Sequence, residues 1–177
     1  NETIFSYWDN GQIQQEVTYI DGKKDGKRTW WYENGQIEQK ANYIDDERDG
    51  KTTYWYENGQ ISSETNYKNG DLVNETIFSY WDNGQIQQEV NYKDGKLDGK
   101  DTWWYENGQI EHEGNYINNK LDGKRTYWYE NGQIQQEGNY IDDERDGKTT
   151  YWDENGQIKE EANYKDGKLD GKHTWRY

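Results

Sequence analysis

Tyr7, Trp31, Trp55, Tyr80, Trp104, Trp128 and Trp152 follow one another at intervals of 24, 24, 25, 24, 24 and 24 residues, and the five tryptophans each stand two places after a Thr. Evenly spaced rings perform non-covalent chemistry: they stack on sugar rings or anchor the apolar groups of a partner chain. The same rings can instead be cross-strand packing of a sheet, and this is the reading the pattern favours, with the surrounding acidic rim left as a contact surface. These seven residues are the candidate partner-binding set. Catalytic material is thin. His112 and His173 are the only histidines and sit in different repeats, and the serines are Ser6, Ser62, Ser63 and Ser79. Spacing alone permits a Ser-His-Asp arrangement, but no unit departs from the others as a grafted active site would. Glu and Asp recur symmetrically, whereas glycoside hydrolysis needs two carboxyls in distinct environments. The runs Asp45–Gly50 and Asp142–Gly147 have the carboxylates for a hard cation but also an Arg, and they lack the Asp-x-Asp-x-Asp-Gly spacing, so they read as solvated turns. The Gly-Lys-Leu-Asp-Gly-Lys stretches lack the phosphate-loop pattern and are also turns. The expectation is a non-enzyme with no cofactor and no metal.

The elements that position the rings are announced by Asn-Gly at Asn10, Asn34, Asn58, Asn83, Asn107, Asn131 and Asn155. Asn-Gly between alternating apolar segments predicts a hairpin with a two-residue type I′ turn, because both central residues need φ > 0. A second, looser connection carries Gly26, Gly50, Gly99, Gly123, Gly147 and Gly171, and only the third unit breaks it, with Val73-Asn74. Residues 1–17 recur letter for letter as 74–90. The expected fold is all-β: an elongated, twisted antiparallel sheet, an open β-meander or solenoid of about seven tandem hairpin repeats of about 24 residues. It forms a single repeat domain over residues 1–177, its last unit truncated. Asn1 is not an initiator Met, so the chain reads as an excised fragment.

A two-residue hairpin places Tyr32 opposite Ile37, Trp31 opposite Glu38 and Trp30 opposite Gln39. One face then carries Trp30, Tyr32, Ile37, Ala41 and Tyr43, with Tyr54, Tyr56, Ile61, Thr65 and Tyr67, or Trp103, Tyr105, Ile110, Gly114 and Tyr116, as equivalents. This is the expected core, relieved by a small residue at Val17, Ala41, Thr65, Val90, Gly114, Gly138 and Ala162. The ladder occupies the other face, its rings about 9.5 Å apart.

Composition limits the partners. The net charge is −15, hydrophobic residues make up 29%, and 10 Trp with 17 Tyr replace the missing Met and Cys. So acidic a chain repels phosphate backbones and anionic lipid, which makes nucleic acid and membrane lipid poor partners. Absence of Cys leaves the redox compartment open, and no run is long and apolar enough to span a bilayer as a helix. Aromatic content and period argue for order despite the low hydrophobicity.

Gly95-Lys96, Gly99-Lys100, Thr102 to Ile110, Glu113 and Tyr116 together closely resemble the bacterial variant of the MORN repeat, found also in antitoxin-like proteins, and the match recurs along essentially the whole chain. The resemblance implies successive hairpins in a twisted antiparallel sheet, used for protein association and, in some members, lipid binding. The Tyr-x-Gly-x-Trp pattern of the animal and protozoan form is absent. A fainter likeness to aromatic cell-wall-binding repeats lacks their Gly-Trp and Tyr-Tyr spacing. The expected function is a non-enzymatic scaffold for protein–protein interaction or self-association through a repeated aromatic and acidic face, open edges at Asn1 and Tyr177 included. The alternative is a carbohydrate-binding surface module that takes oligosaccharide on the Trp ladder. A bacterial cell-surface or secreted setting is slightly favoured over the cytoplasm.

Overall fold

Turn residues recur so densely that little length is left for anything but strands. The computed structural model describes residues 1–176 and is built of seventeen antiparallel strands of an open sheet, with no helix among the described residues. Its contacts gather into two compact units, Asn1–Ile77 and Phe78–Tyr177. The first contains β1 (Glu2–Tyr7), β2 (Ile13–Ile20), β3 (Lys23–Trp31), β4 (Ile37–Ile44), the short β5 (Glu47–Arg48), β6 (Gly50–Trp55), β7 (Ile61–Lys68) and the start of β8 (Asp71–Tyr80). The second continues with β9 (Ile86–Lys93), β10 (Lys96–Trp104), β11 (Ile110–Ile117), β12 (Lys120–Trp128), β13 (Ile134–Ile141), the short β14 (Glu144–Arg145), β15 (Gly147–Trp152), β16 (Ile158–Lys165) and β17 (Lys168–Trp175). Within each unit strands pair in chain order, β5 and β14 being short pieces beside β4 and β13. Among the described residues β1 pairs with β2 alone and β17 with β16 alone. Tyr177, expected at an open edge, lies outside the described residues.

The two connections exchange the roles expected of them. At Asn34-Gly35 the Tyr32 N–H donates to Gln36 O at 2.8 Å and the Gly35 N–H to Tyr32 O at 2.9 Å. This closes a three-residue loop, a type I turn followed by Gly35 at φ 85°, and Asn34 keeps negative φ. The type I′ turns lie at the other end of each hairpin. There Asp45 and Asp46 have φ of 51° and 73°, as do Asn118 and Asn119 at 51° and 70°. Asp and Asn tolerate the left-handed region because their short polar side chains bond locally. Gly26, read as part of a turn, instead lies inside β3 at a bulge, where the pairing jumps from Tyr19↔Lys24 to Val17↔Arg28.

The longer Asn-Gly loop corrects the register beside it. Trp31 pairs with Ile37, not Glu38, and Tyr32 lies beyond the strand. A bulge at Glu38 then restores the expected Trp30↔Gln39 pair, and Arg28↔Ala41 follows. The same shift precedes the turns at Tyr7, Trp55, Trp104, Trp128 and Trp152. Ile37 therefore moves to the ladder's face, and Tyr32 and Ile37 leave the expected core.

The small residues are buried as expected, with Val17 at 1% exposure and Ala41 at 3%. Trp30, Tyr54, Trp103 and Tyr105 are only half-buried. A single sheet layer supplies its own cover, so the short side chains disappear beneath long ones on neighbouring strands while most long ones keep an outer edge in water, Tyr43 and Leu121 being buried exceptions. Arg28 lies opposite both Val17 and Ala41, and Arg125 opposite both Gly114 and Gly138. The Arg125 stem lies against Gly114, its Cγ 3.6 Å from where a Cβ would stand.

Candidate functional site

Two side-chain systems are built on this frame. On the core face, tyrosine hydroxyls surround arginines. Arg48 donates through Nη1 to Tyr54 at 2.8 Å and Tyr67 at 2.9 Å, and through Nε to Tyr43 at 3.3 Å. Burial opposes the Arg48 charge, but these hydroxyls outweigh it and raise its pKa further above the usual arginine range. Burial likewise pushes the Tyr43 phenol up, yet Arg48 and Arg28 prevail and its pKa is lowered. Arg145 bonds Tyr140 and Tyr164, each at 3.3 Å, and Arg125 donates to Tyr116. This network was not foreseen, because Arg48 and Arg145 stand in loops read as solvated. The carboxylates of those loops are engaged locally. Asp45 accepts from Lys23 Nζ at 3.0 Å, Asp46 from the Lys24 N–H at 2.8 Å, and Asp49 from Lys68 Nζ at 2.9 Å. Among the described residues no three carboxylate or imidazole groups converge as a cation site.

The histidines are apart. His112 is sandwiched between Trp103 and Tyr127, with ring centroids at 5.7 and 5.4 Å. Burial first, then the Arg125 charge, lowers its pKa. His173 bonds Glu160 at 2.8 Å, while Ser6 and Ser79 donate to Gln14 and Gln87.

On the opposite face, Tyr7, Trp31, Trp55, Tyr80, Trp104, Trp128 and Trp152 each end a strand. All are half-buried except Tyr7, which is 59% exposed. Each tryptophan's carbonyl is held by the aromatic that opens the preceding Asn-Gly turn. Trp8 Nε1 donates to Trp31 O at 3.1 Å, Tyr32 Oη to Trp55 O at 2.6 Å, Trp81 Nε1 to Trp104 O at 3.0 Å, Tyr105 Oη to Trp128 O at 2.7 Å and Tyr129 Oη to Trp152 O at 2.9 Å. The Asn amides repeat this reach, Asn34 Nδ2 donating to Glu57 O at 2.9 Å and Asn107 Nδ2 to Glu130 O at 2.9 Å. Side chains of one turn thus bond the backbone of the next, and this fixes the interval of the rings.

The matched residues decide the family. The model of the MORN repeat variant matches residues 3–21, 24–45, 48–69, 76–94, 97–118, 121–142 and 145–166. The chain belongs to the MORN repeat variant family. Each MORN match takes in, wholly or in part, the two strands flanking one Asn-Gly loop and ends in the turn that follows them, so family unit and structural hairpin coincide. A comparison with curated proteins gives no match. Among solved structures, the chain is similar to a "TcdB2-TccC3-TEV" crystal structure at 11% identity and TM-score 0.37, covering 99% of this chain and 12% of that one. It is also similar to a "GtfA/B complex bound to UDP and GlcNAc" at 19% identity and TM-score 0.21, covering 58% of this chain and 20% of that one. The chain thus spans a small part of these much longer proteins.

Rows of charge flank the ladder. Lys51 meets Glu64, Lys100 meets Glu113 and Lys124 meets Glu137, each at 2.6 Å, and Lys148 meets Glu161. The acidic rim expected beside the rings is therefore partly neutralised, although each such exposed pair adds only ~0–1 kcal/mol. One MORN unit departs. The place held by Glu16, Glu64, Glu89, Glu113, Glu137 and Glu161 is Lys40 in the second repeat, a difference legible by aligning the repeats. Beside it, Trp31 and Trp55 line a groove of ≈ 670 Å³ with Thr29, Thr53, Lys27 and Lys40. The sequence predicted two of these rings as neighbours in a ladder but not the basic groove between them.

Proposed function

We propose that this MORN array is a non-catalytic scaffold that associates with another protein chain through the ladder face. The observation that supports it most is the side-chain-to-backbone bonding that holds Trp104, Trp128 and Trp152 at one repeat interval. A backbone held in place at each ring loses little freedom on contact, which favours association over a broad, repetitive surface. A bacterial, antitoxin-like setting belongs to the same proposal. The test is affinity capture with wild type, a Trp104→Ala/Trp128→Ala variant and a Glu106→Gln control, with light scattering to detect self-association. Partner or self-association lost only in the ladder variant, with its melt still cooperative, agrees with the proposal. Unchanged capture removes the ladder as the interface. The alternative, oligosaccharide binding, draws on Trp31 and Trp55 lining one open groove; tryptophan fluorescence that stays flat across a glycan panel removes it.

A further inference from the structure

The second repeat carries two cations where its counterparts carry an ion pair. Lys27 occupies the place of Lys51, Lys100, Lys124 and Lys148, each of which meets a Glu. The residue at the corresponding Glu position is Lys40, and Lys27 has no ion pair among the described residues. The Lys40 ammonium instead lies 5.9 Å from the Trp55 ring centroid. Lys51, also on the groove, is taken by Glu64, and Glu16 is the one carboxylate lining it. Two ammonium groups without a carboxylate partner thus line a groove shared with Trp31, Trp55, Thr29 and Thr53, in a chain of net charge −15.

We propose that this groove is a specific recognition site for an acidic peptide segment of a partner protein, one carrying carboxylates on either side of an apolar or aromatic side chain. The inference rests on the scaffold reading and names the chemistry of its partner. Charge complementarity selects the class. A carboxylate between Lys27 and Lys40 relieves like-charge repulsion across neighbouring strands, and the apolar side chain between the carboxylates fills the space between the two rings. The net negative charge of the remaining surface repels acidic chains elsewhere and confines them to this repeat.

Lys40→Glu is the informative variant, because it installs the residue six other repeats already carry and gives Lys27 the partner its counterparts have. The probe is a synthetic peptide with two Glu flanking a Leu-Leu pair, read by tryptophan fluorescence at low and at physiological salt. A Lys-substituted peptide and an oligogalacturonate are the comparison ligands. The expected result is saturable binding of the acidic peptide that weakens at least tenfold in Lys40→Glu and with rising salt, while the variant melts at or above wild type. Lys124→Glu, on a repeat with its ion pair in place, should leave binding unchanged. Equal binding to wild type and Lys40→Glu, or preference for the Lys peptide, overturns the proposal. Binding of the oligogalacturonate but not the peptide overturns the peptide class and assigns the groove to anionic sugar. If peptide binding depends on Lys40 yet Trp104→Ala/Trp128→Ala leaves partner capture intact, the groove stands and the extended ladder interface falls.

Discussion

Replacing Tyr105 by Phe removes one hydroxyl, the donor 2.7 Å from Trp128 O, and leaves the ring in place. A hydrogen bond of this kind contributes ~0.5–1.5 kcal/mol net, and the carbonyl left behind is part-buried, so the cost should be about 1 kcal/mol. Tyr105→Ala also removes ring contacts. Because Tyr105 is half-buried, its cost should fall near 2 kcal/mol, below the ~3–5 kcal/mol of a fully buried aromatic. Tyr105→Trp is the discriminating third variant. Trp8 and Trp81 occupy the same place in other repeats and donate from Nε1 to Trp31 O and Trp104 O, so an indole there should retain the bond. Urea unfolding followed by circular dichroism, with the m-value checked for constancy, gives the ranking: wild type near Tyr105→Trp, then Tyr105→Phe, then Tyr105→Ala. If Phe equals wild type while Trp falls below Phe, the turn-to-turn bond does not couple repeats, and the account of how the rings are spaced is wrong.

Gly108 has φ 84°, and a Cβ there would lie 2.9 Å from Gln85 Oε1, so Gly108→Val should lower the melting temperature clearly while Glu106→Gln barely moves it; equal melts would refute the turn assignment. A Cβ on Gly138 would lie 2.8 Å from the buried Thr149 Oγ1, so Gly138→Ala should destabilise by about 1–3 kcal/mol, and Thr149→Ala should recover much of that loss when the two are combined in a double-mutant cycle. The lowered pKa of His112 means that the unfolded chain takes up this proton first as pH falls. Its stabilising contribution is complete above the unfolded value of ~6.5 and declines below it until the folded group also titrates. Melts from pH 7.5 to 5 should therefore decline less steeply in His112→Gln, which carries the residue present at Gln39, Gln88 and Gln136.

Period, strand content and the small central residues were legible because they depend on local chemistry repeated seven times. Turn types were not. Asn-Gly satisfies both the two-residue I′ loop and the three-residue loop with Gly in the left-handed region, and the choice rests on the Tyr32-to-Gln36 bond and the Glu38 bulge, which sequence does not display. That one-residue difference carried Ile37 to the other face. The ladder rings were placed on one face by alternation alone. The Arg48 and Arg145 clusters escaped notice because an arginine in an acidic turn is indistinguishable by type from a solvated one, whereas Lys40 was visible and needed only comparison with its six counterparts.

The Asn-Gly turns also bear on how the protein ages. Asn-Gly is a chemically fragile dipeptide, since the glycine nitrogen can attack the preceding amide carbonyl, close a succinimide and expel ammonia. Here the Gly35 nitrogen is occupied by Tyr32 O, and the Asn34 side chain is tethered at both ends, by the Gln36 N–H and by Glu57 O. Asn10, Asn83, Asn107 and Asn131 share the tether to the following turn, whereas Asn58 bonds Gln60 of its own loop and Asn155 engages Asp153 through its backbone. Peptide mapping after prolonged incubation at mild alkaline pH should find isoaspartate first at Asn155 and Asn58. The stack then acts as a preservative for its own turns, and chemical wear begins at the asparagines whose amide shows no bond to a neighbouring turn among the described residues.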